Sequence, residues 1–215
     1  MSVVFLSLPP IMRYLFEPEI LHETAKKGIG LPNTQMLEVV RAELAAKYPD
    51  HISHEIKWII NNAGGCMYAV AVLHASLSEY LVFFGSSIGT SGHTGRHLVE
   101  IYDFVIDGEL WYFQEENPLA RDIRKAGDQY YLPKGKSEGL AIKDYAWVLE
   151  YGRGPIPLIL PFGFADAFFS TLDFKSVLQT LWIYGTMVLK ELINQFKISN
   201  FNLKIKPKNY KLNKS

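Results

Sequence analysis

The pattern of hydrophobic and polar positions changes character twice along this chain. After Asn33, a residue suited to capping a helix, apolar Met36, Leu37, Val40, Leu44 and Ala45 recur at helical spacing, so residues Glu17 to Tyr48 read as helical. From Met67 to Ile156 the chain breaks into short apolar and aromatic runs punctuated by glycine: Met67 to Leu73, Tyr80 to Phe84, Val99 to Ile106, Leu110 to Phe113 and Trp147 to Tyr151. Runs of that length and spacing predict the strands of a sandwich or barrel. In the last third a shorter apolar helix is predicted between Pro161 and Thr171. A longer one follows, with Leu178, Leu181, Val188, Leu189, Leu192 and Phe196 on one side.

These segments make one domain over residues 17–196: a helical layer over 17–60, a barrel over 61–157 and C-terminal helices over 158–196. Residues 1–16 are expected to anchor at a membrane surface, because Ser2 to Phe16 is apolar but short and carries Pro9 and Pro10. A cleavable signal fits less well, since a basic leading region is missing. The two C-terminal helices either close the barrel or lie on a bilayer. Asp166, Asp173 and the Lys190–Glu191 pair interrupt them before about 20 apolar residues accumulate, so lying on the membrane is favoured over spanning it.

Composition narrows the partners. Hydrophobic residues make up 48% of the chain and charged residues 20%, with 22 acids against 22 bases, so no net field would attract nucleic acid and an apolar partner is expected. The distribution is uneven, however. From Lys197 to Ser215 there are six lysines and no acid, a basic tail suited to anionic lipid. The single cysteine, Cys66, excludes an internal disulfide and a multi-cysteine zinc site, and a buried, inert thiol is expected.

Two local patterns suggest chemistry and then fail. Gly85-Ser86-Ser87-Ile88-Gly89 matches a nucleophile elbow, but that device needs a helix after the turn and an acid before the histidine. Here the following segment is glycine-rich, and neither His93 nor His97 has an acid between it and Ser87. His93, His97 and Glu100 offer imidazole and carboxylate to a metal, yet Gly92 and Gly95 leave their spacing without a scaffold, and hydrogen bonding within a turn is favoured.

The stronger signal is two acids within apolar strands. Asp103 is flanked by Ile101, Tyr102, Phe104 and Val105, and Glu150 by Val148, Leu149 and Tyr151. A carboxylate is rarely buried without a partner, because ionising it in an apolar interior costs several kcal/mol. Strand alternation also allows either acid to point to solvent, and the pattern alone leaves that alternative open.

Longer runs carry a resemblance. Asn62-Ala63-Gly64-Gly65, Leu73-His74-Ala75-Ser76-Leu77-Ser78-Glu79-Tyr80, Phe84-Gly85, Gly92-His93-Thr94-Gly95, Glu150-Tyr151-Gly152-Arg153-Gly154 and Ser170-Thr171-Leu172-Asp173-Phe174 occur in that order. From about Phe16 to Phe196 the sequence resembles the family that joins fungal C-8 sterol isomerases to the sigma non-opioid intracellular receptors. The resemblance implies a mainly β fold with flanking helices, a cupin-like β-barrel around an elongated apolar pocket. It also implies C-terminal helices resting on the endoplasmic reticulum membrane and assembly as a homo-oligomer, a trimer in receptor members. Asp103 and Glu150 are implied to face each other in the pocket, with Glu150 taking the charged nitrogen of amine ligands and Tyr80 hydrogen-bonded to Glu150.

Two readings of function follow, and the first is favoured. A C-8 sterol isomerase moves a ring double bond from delta-8 to delta-7 by adding one proton and removing another, with no redox cofactor or metal required. Two carboxyls sharing one proton suit that task, although the sequence does not divide donor from acceptor. In the second reading the same pair binds sterols or cationic amphiphilic amines without turnover, because an ammonium resembles the carbocation. Phe84, Tyr102 and Trp147 are candidates to line the pocket. Glu79, His74 and Glu100 are candidate supporting residues, Glu100 as a substitute for Asp103, because the resembling fungal sequences do not all carry an acid there.

Overall fold

The computed structural model describes residues 14–205, with side chains through residue 196. Two helices open the fold. α1 (Pro18–Ala25) begins with a proline, whose missing N–H is one that a first helical turn leaves unbonded anyway. α2 (Asn33–Lys47) buries Met36, Leu37, Val40 and Leu44, as the periodicity predicts. Its cap position is occupied by Pro32, and Asn33 is the first helical residue rather than the cap.

Eight strands then form one antiparallel sheet: β1 (Ile59–Ala63), β2 (Cys66–Ala75), β3 (Glu79–Ser86), β4 (Thr90–His93), β5 (Glu100–Gln114), β6 (Asn117–Lys125), β7 (Gln129–Leu132) and β8 (Glu138–Arg153). Their order is β1-β2-β3-β8-β5-β6, with β4 also pairing β8 and β7 also pairing β5. The two longest strands change partners along their length. The first part of β5 pairs β7 and its second part β6, while β8 pairs β4 near its start and β3 near its end.

Val99–Ile106 and Leu110–Phe113, expected as separate strands, are therefore one bent strand. The bend falls at register shifts around Asp107 and Gly108. Gly108 sits at φ 76°, where a Cβ would lie 2.1 Å from the Tyr145 carbonyl oxygen, so glycine is required. Trp147–Tyr151 is likewise only the middle of β8. β6 carried no apolar signal because most of its residues are exposed.

The sheet has two faces with different tasks. Its outer face is covered by α1 and α2, whose Leu21, Met36, Val40 and Leu44 join Phe83, Phe104 and Leu149 in the largest buried cluster. The inner face curves around a cavity. α3 (Leu160–Phe169) and α4 (Phe174–Ile205) lie against the β1 and β2 side and contribute to the lining. The fold is thus mainly β sheet with flanking helices.

Several boundaries differ from expectation. The sheet starts at Ile59 and the helical layer ends at Lys47. The backbone of α4 runs on to Ile205, into the segment read as a basic tail, and most of the expected N-terminal anchor lies outside the described residues. Among the described residues no helix is long and apolar enough to cross a membrane.

The predicted apolar stripe of α4 does not face the sheet. Leu178 is 67% exposed, Leu189 59% and Phe196 69%, whereas Val177, Thr180, Tyr184 and Glu191 turn inward.

Candidate functional site

Side-chain alternation on three neighbouring strands builds the site. On β3, Tyr80, Val82 and Phe84 point inward, and Glu79, Leu81 and Phe83 point outward to the helices. β8 aligns Glu150 opposite Val82 and Gly152 opposite Tyr80, and β5 aligns Asp103 directly opposite Glu150. Directly opposed residues on one face are near neighbours, so the register alone brings two carboxyls together. They lie in the wall of an apolar cavity of about 220 Å³, with Val70, Phe84, Ile101 and Leu140 from the sheet and Ile159, Phe162 and Tyr184 from the helical side.

Gly152 has a clear part in this geometry. A Cβ there would fall 2.2 Å from Cε1 of Tyr80, so the tyrosine ring lies across the glycine. From that position Tyr80 donates its hydroxyl hydrogen to Glu150 Oε1 at 2.8 Å. Tyr112 donates to Asp103 Oδ2 at 2.7 Å, while Asp103 Oδ1 is buried without a hydrogen-bond partner.

The donor inventory indicates where the remaining proton sits. Each carboxyl accepts one tyrosine hydrogen bond, and the register sets the two side by side on one face, where they cannot both ionise easily and so hold a proton between them. Burial pushes Glu150 up to about 8, and the negative charge of Asp103 adds to the rise against the opposing pull of Tyr80. Burial also raises Asp103, to about 6, with hydrogen bonds from Tyr112 and Glu150 opposing it. At neutral pH the pair as a whole therefore holds one proton and one negative charge.

A third acid belongs to this environment and was missed in the sequence. Glu138, at the start of β8, is buried, accepts from Gln114 Nε2 at 3.0 Å and from the hydroxyl of Tyr130, and its charge raises Asp103 further. The ring of Tyr130 stacks on Tyr112 with centroids 3.8 Å apart. Glu138 follows Lys136 and Ser137 and precedes a glycine, so no apolar flank marked it as buried.

Other sequence candidates lie elsewhere. Tyr102 alternates away from Asp103 to the outer face, where it packs near Tyr131 and Tyr151 and accepts a hydrogen bond from Arg153 Nη2 at 2.9 Å. Trp147 also faces outward, against Trp58. Glu79 is buried on the outer face, accepting from the Leu15 and Phe16 backbone N–H groups and from the Tyr151 hydroxyl. Glu100 accepts from Arg153 Nε at 2.6 Å at the end of the ladder and does not join the carboxylate pair.

His74 is turned outward by a register shift between Val72 and His74. This places it opposite Leu81 rather than in the cavity. Phe84 does line the cavity.

The failed motifs have ordinary roles. Ser86 and Gly89 belong to the β3–β4 turn, where the Ser86 hydroxyl donates to the Gly89 carbonyl. His93, the last residue of β4, accepts at Nδ1 from Gly95 N–H, and His97 Nε2 pairs with the Thr94 carbonyl; both residues also border the cavity. Cys66 is a buried free thiol, raised in pKa by burial.

The chain that carries this acid pair has recognisable relatives. The family model described as "ERG2 and Sigma1 receptor like protein" matches residues 1–196. The chain belongs to this family. The C-8 sterol isomerase erg2 of Aspergillus fumigatus is 37% identical over 186 residues, covering 85% of this chain and 77% of the relative. Sigma non-opioid intracellular receptor 1 of Gallus gallus is also 37% identical, over 181 residues, covering 83% and 81%. Among solved structures, an RmlC-like cupin from Shewanella frigidimarina aligns with 49% of this chain and 94% of its own, at 14% identity and a TM-score of 0.41.

Proposed function

We propose that this protein is a C-8 sterol isomerase that moves the ring double bond from delta-8 to delta-7 by proton transfer at Glu150 and Asp103. The observation that carries this reading is two directly opposed carboxyls in the wall of an apolar cavity, both pushed up in pKa by burial.

An alkene is a very weak base, so its acid must be unsolvated yet still protonated near pH 7. Glu150 meets that condition through burial and the adjacent negative charge. It donates to one carbon of the double bond, and positive charge develops on the other. Asp103 takes a proton from the next ring carbon, where the new double bond closes. The proton count is unchanged, and return of the proton from Asp103 to Glu150 resets the site. Two carboxylates beside the cation, in surroundings that hold little water, stabilise it electrostatically.

The exposed apolar side of α4 supports a helix lying on the membrane, from which a sterol reaches the cavity. Placement on the endoplasmic reticulum membrane and assembly as a homo-oligomer are part of the same reading and rest on the family resemblance.

The test is expression in a yeast strain lacking its own C-8 sterol isomerase, with sterols profiled by mass spectrometry. Delta-7 sterols with the wild-type chain, and delta-8 sterols with Glu150→Gln, are expected. Persistent delta-8 sterols despite protein at the membrane would overturn the enzyme reading.

A second reading has its own support. A receptor relative matches as well as an isomerase does, and a carboxyl pair bearing one negative charge suits a protonated amine. Saturable binding of an amphiphilic amine without sterol turnover would favour that reading.

A further inference from the structure

Outside the carboxylate cavity, three potential metal ligands converge on a separate recess. His51 lies in the segment before β1, His74 on β2 and Glu191 on α4. One ligating atom from each lies within 4.8 Å of the others. His51 Nδ1 is 2.9 Å from Glu191 Oε2, and His74 Nδ1 is 4.0 Å from Glu191 Oε1.

His74 is only 2% exposed. Its Nδ1–H donates to the His51 carbonyl at 2.9 Å, which leaves Nε2 with a lone pair, and that atom is buried without a partner. An N–H on a backbone carbonyl with the second nitrogen free is how proteins hold a metal-binding histidine, but here Nδ1 is the nitrogen recorded nearest Glu191, so the ring must turn to offer Nε2 to the set. Glu191 is also buried, and its carboxylate faces the two rings.

We infer that His51, His74 and Glu191 form a binding site for a divalent transition metal of the class zinc represents, tying α4 to the sheet. Two imidazoles and one carboxylate match the donor preference of that class, and the adjoining recess leaves room for a water as fourth ligand. Zinc bonds of about 2.0–2.1 Å require ligand atoms roughly 3.4 Å apart, so the three side chains must close in and the His74 ring must reorient to complete the set. Lys190 borders the recess and opposes a cation, while Glu55 on the same rim favours one. No metal is expected from the sequence: Glu191 lies more than a hundred residues after both histidines, and the register shift that turns His74 outward leaves no local signal.

The consequence concerns the lid of the carboxylate cavity. α4 supplies Thr180 and Tyr184 to the cavity lining, and Glu191 lies two turns beyond Tyr184 on the same helix. A metal joining Glu191 to β2 and to the segment before β1 restrains that helix and slows exchange of the cavity's occupant. Metal binding itself does not depend on which function the carboxylate pair serves.

The experiment uses the full chain in detergent, without a histidine tag, stripped with a chelator and then titrated with zinc or cobalt(II). One metal per chain is expected, with a cobalt absorption spectrum of low-coordinate nitrogen and oxygen ligation and a higher melting temperature in zinc. His51→Ala and Glu191→Gln should each weaken binding by at least about tenfold. A His93→Ala/His97→Ala double change and Cys66→Ser should leave it unaltered. Absence of stoichiometric binding in the wild-type chain overturns the inference without any variant. Binding that survives both His51→Ala and Glu191→Gln, or that vanishes with His93 and His97, overturns it as well.

Discussion

Glu79 and Glu150 stand on hydrogen-bonded neighbouring strands, both withdrawn from bulk water, and face opposite sides of the sheet. Glu79 meets donors: the Leu15 N–H at 2.7 Å, the Tyr151 hydroxyl at 2.8 Å and, more weakly, the Phe16 N–H. Burial raises its pKa, and each of those donors pulls it back. Glu150 meets one donor, Tyr80, and a second acid. The first carboxylate is enclosed by groups that stabilise its charge and fasten the N-terminal segment to the sheet. The second is placed where charge is penalised, so it retains a proton that chemistry can use. Burial alone therefore does not mark a catalytic acid; what decides is whether the neighbours donate hydrogen bonds or compete for a proton.

The largest separation between the two should come from parallel substitutions. Glu150→Gln is expected to lower isomerase turnover by about 10²–10⁴-fold, the usual contribution of a positioned acid, measured as delta-7 sterol formed per folded molecule. The protein should nonetheless fold. Glu79→Ala should instead cost on the order of 2–4 kcal/mol of stability, since it strands buried donors, while turnover per folded molecule stays near wild type. A Glu79 variant that is stable but inactive would break the comparison.

pH dependence sharpens it. Asp103 gains a proton below about 6 and Glu150 loses one above about 8, so kcat/KM should form a bell with limbs near those values. Stability has a defined sign. The native state holds the Glu150 proton more tightly than the unfolded chain, so between the ordinary carboxylate value and about 8 the unfolded state binds fewer protons and stability falls as pH rises. Glu150→Gln should remove the part of that slope above about 6, where Asp103 no longer contributes, and gain on the order of 1–2 kcal/mol at pH 8, measured by denaturant unfolding.

Smaller effects test the supporting tyrosines. Tyr112→Phe removes a donor that lowers Asp103, so the acid limb should move upward and narrow the bell. Tyr80→Phe removes the corresponding pull on Glu150 and should move the alkaline limb upward, with a loss of activity of about tenfold or less. Gly152→Ala should resemble Tyr80→Phe, because its Cβ occupies the place of the tyrosine ring.

The local periodicities were readable in the chain. Met36, Leu37, Val40 and Leu44 bury one face of α2, and the apolar runs on β2, β3, β5 and β8 mark strands that are packed on both sides. Asp103 and Glu150 stood out because an acid among aromatic and β-branched neighbours is costly in any fold. Where the chain is wet on both faces, as in β6, or where an acid has polar neighbours in sequence, as Glu138 has, the one-dimensional pattern carries no sign of what the fold does there.

Pairing and facing were decided in three dimensions. Strand alternation states that Tyr102 and Asp103 point to opposite sides, but not which side holds the cavity. Only the register of β5 on β8 sets Asp103 against Glu150, and only the shift at Val72/His74 turns His74 out of the cavity toward Glu191. The apolar stripe of α4 was present in the sequence, yet its outward orientation arises because Val177, Thr180 and Tyr184 occupy the inner side. Local sequence determines which residues must leave water. Contacts among residues far apart in the chain determine where they go, because their free energy depends on neighbours that no local pattern specifies.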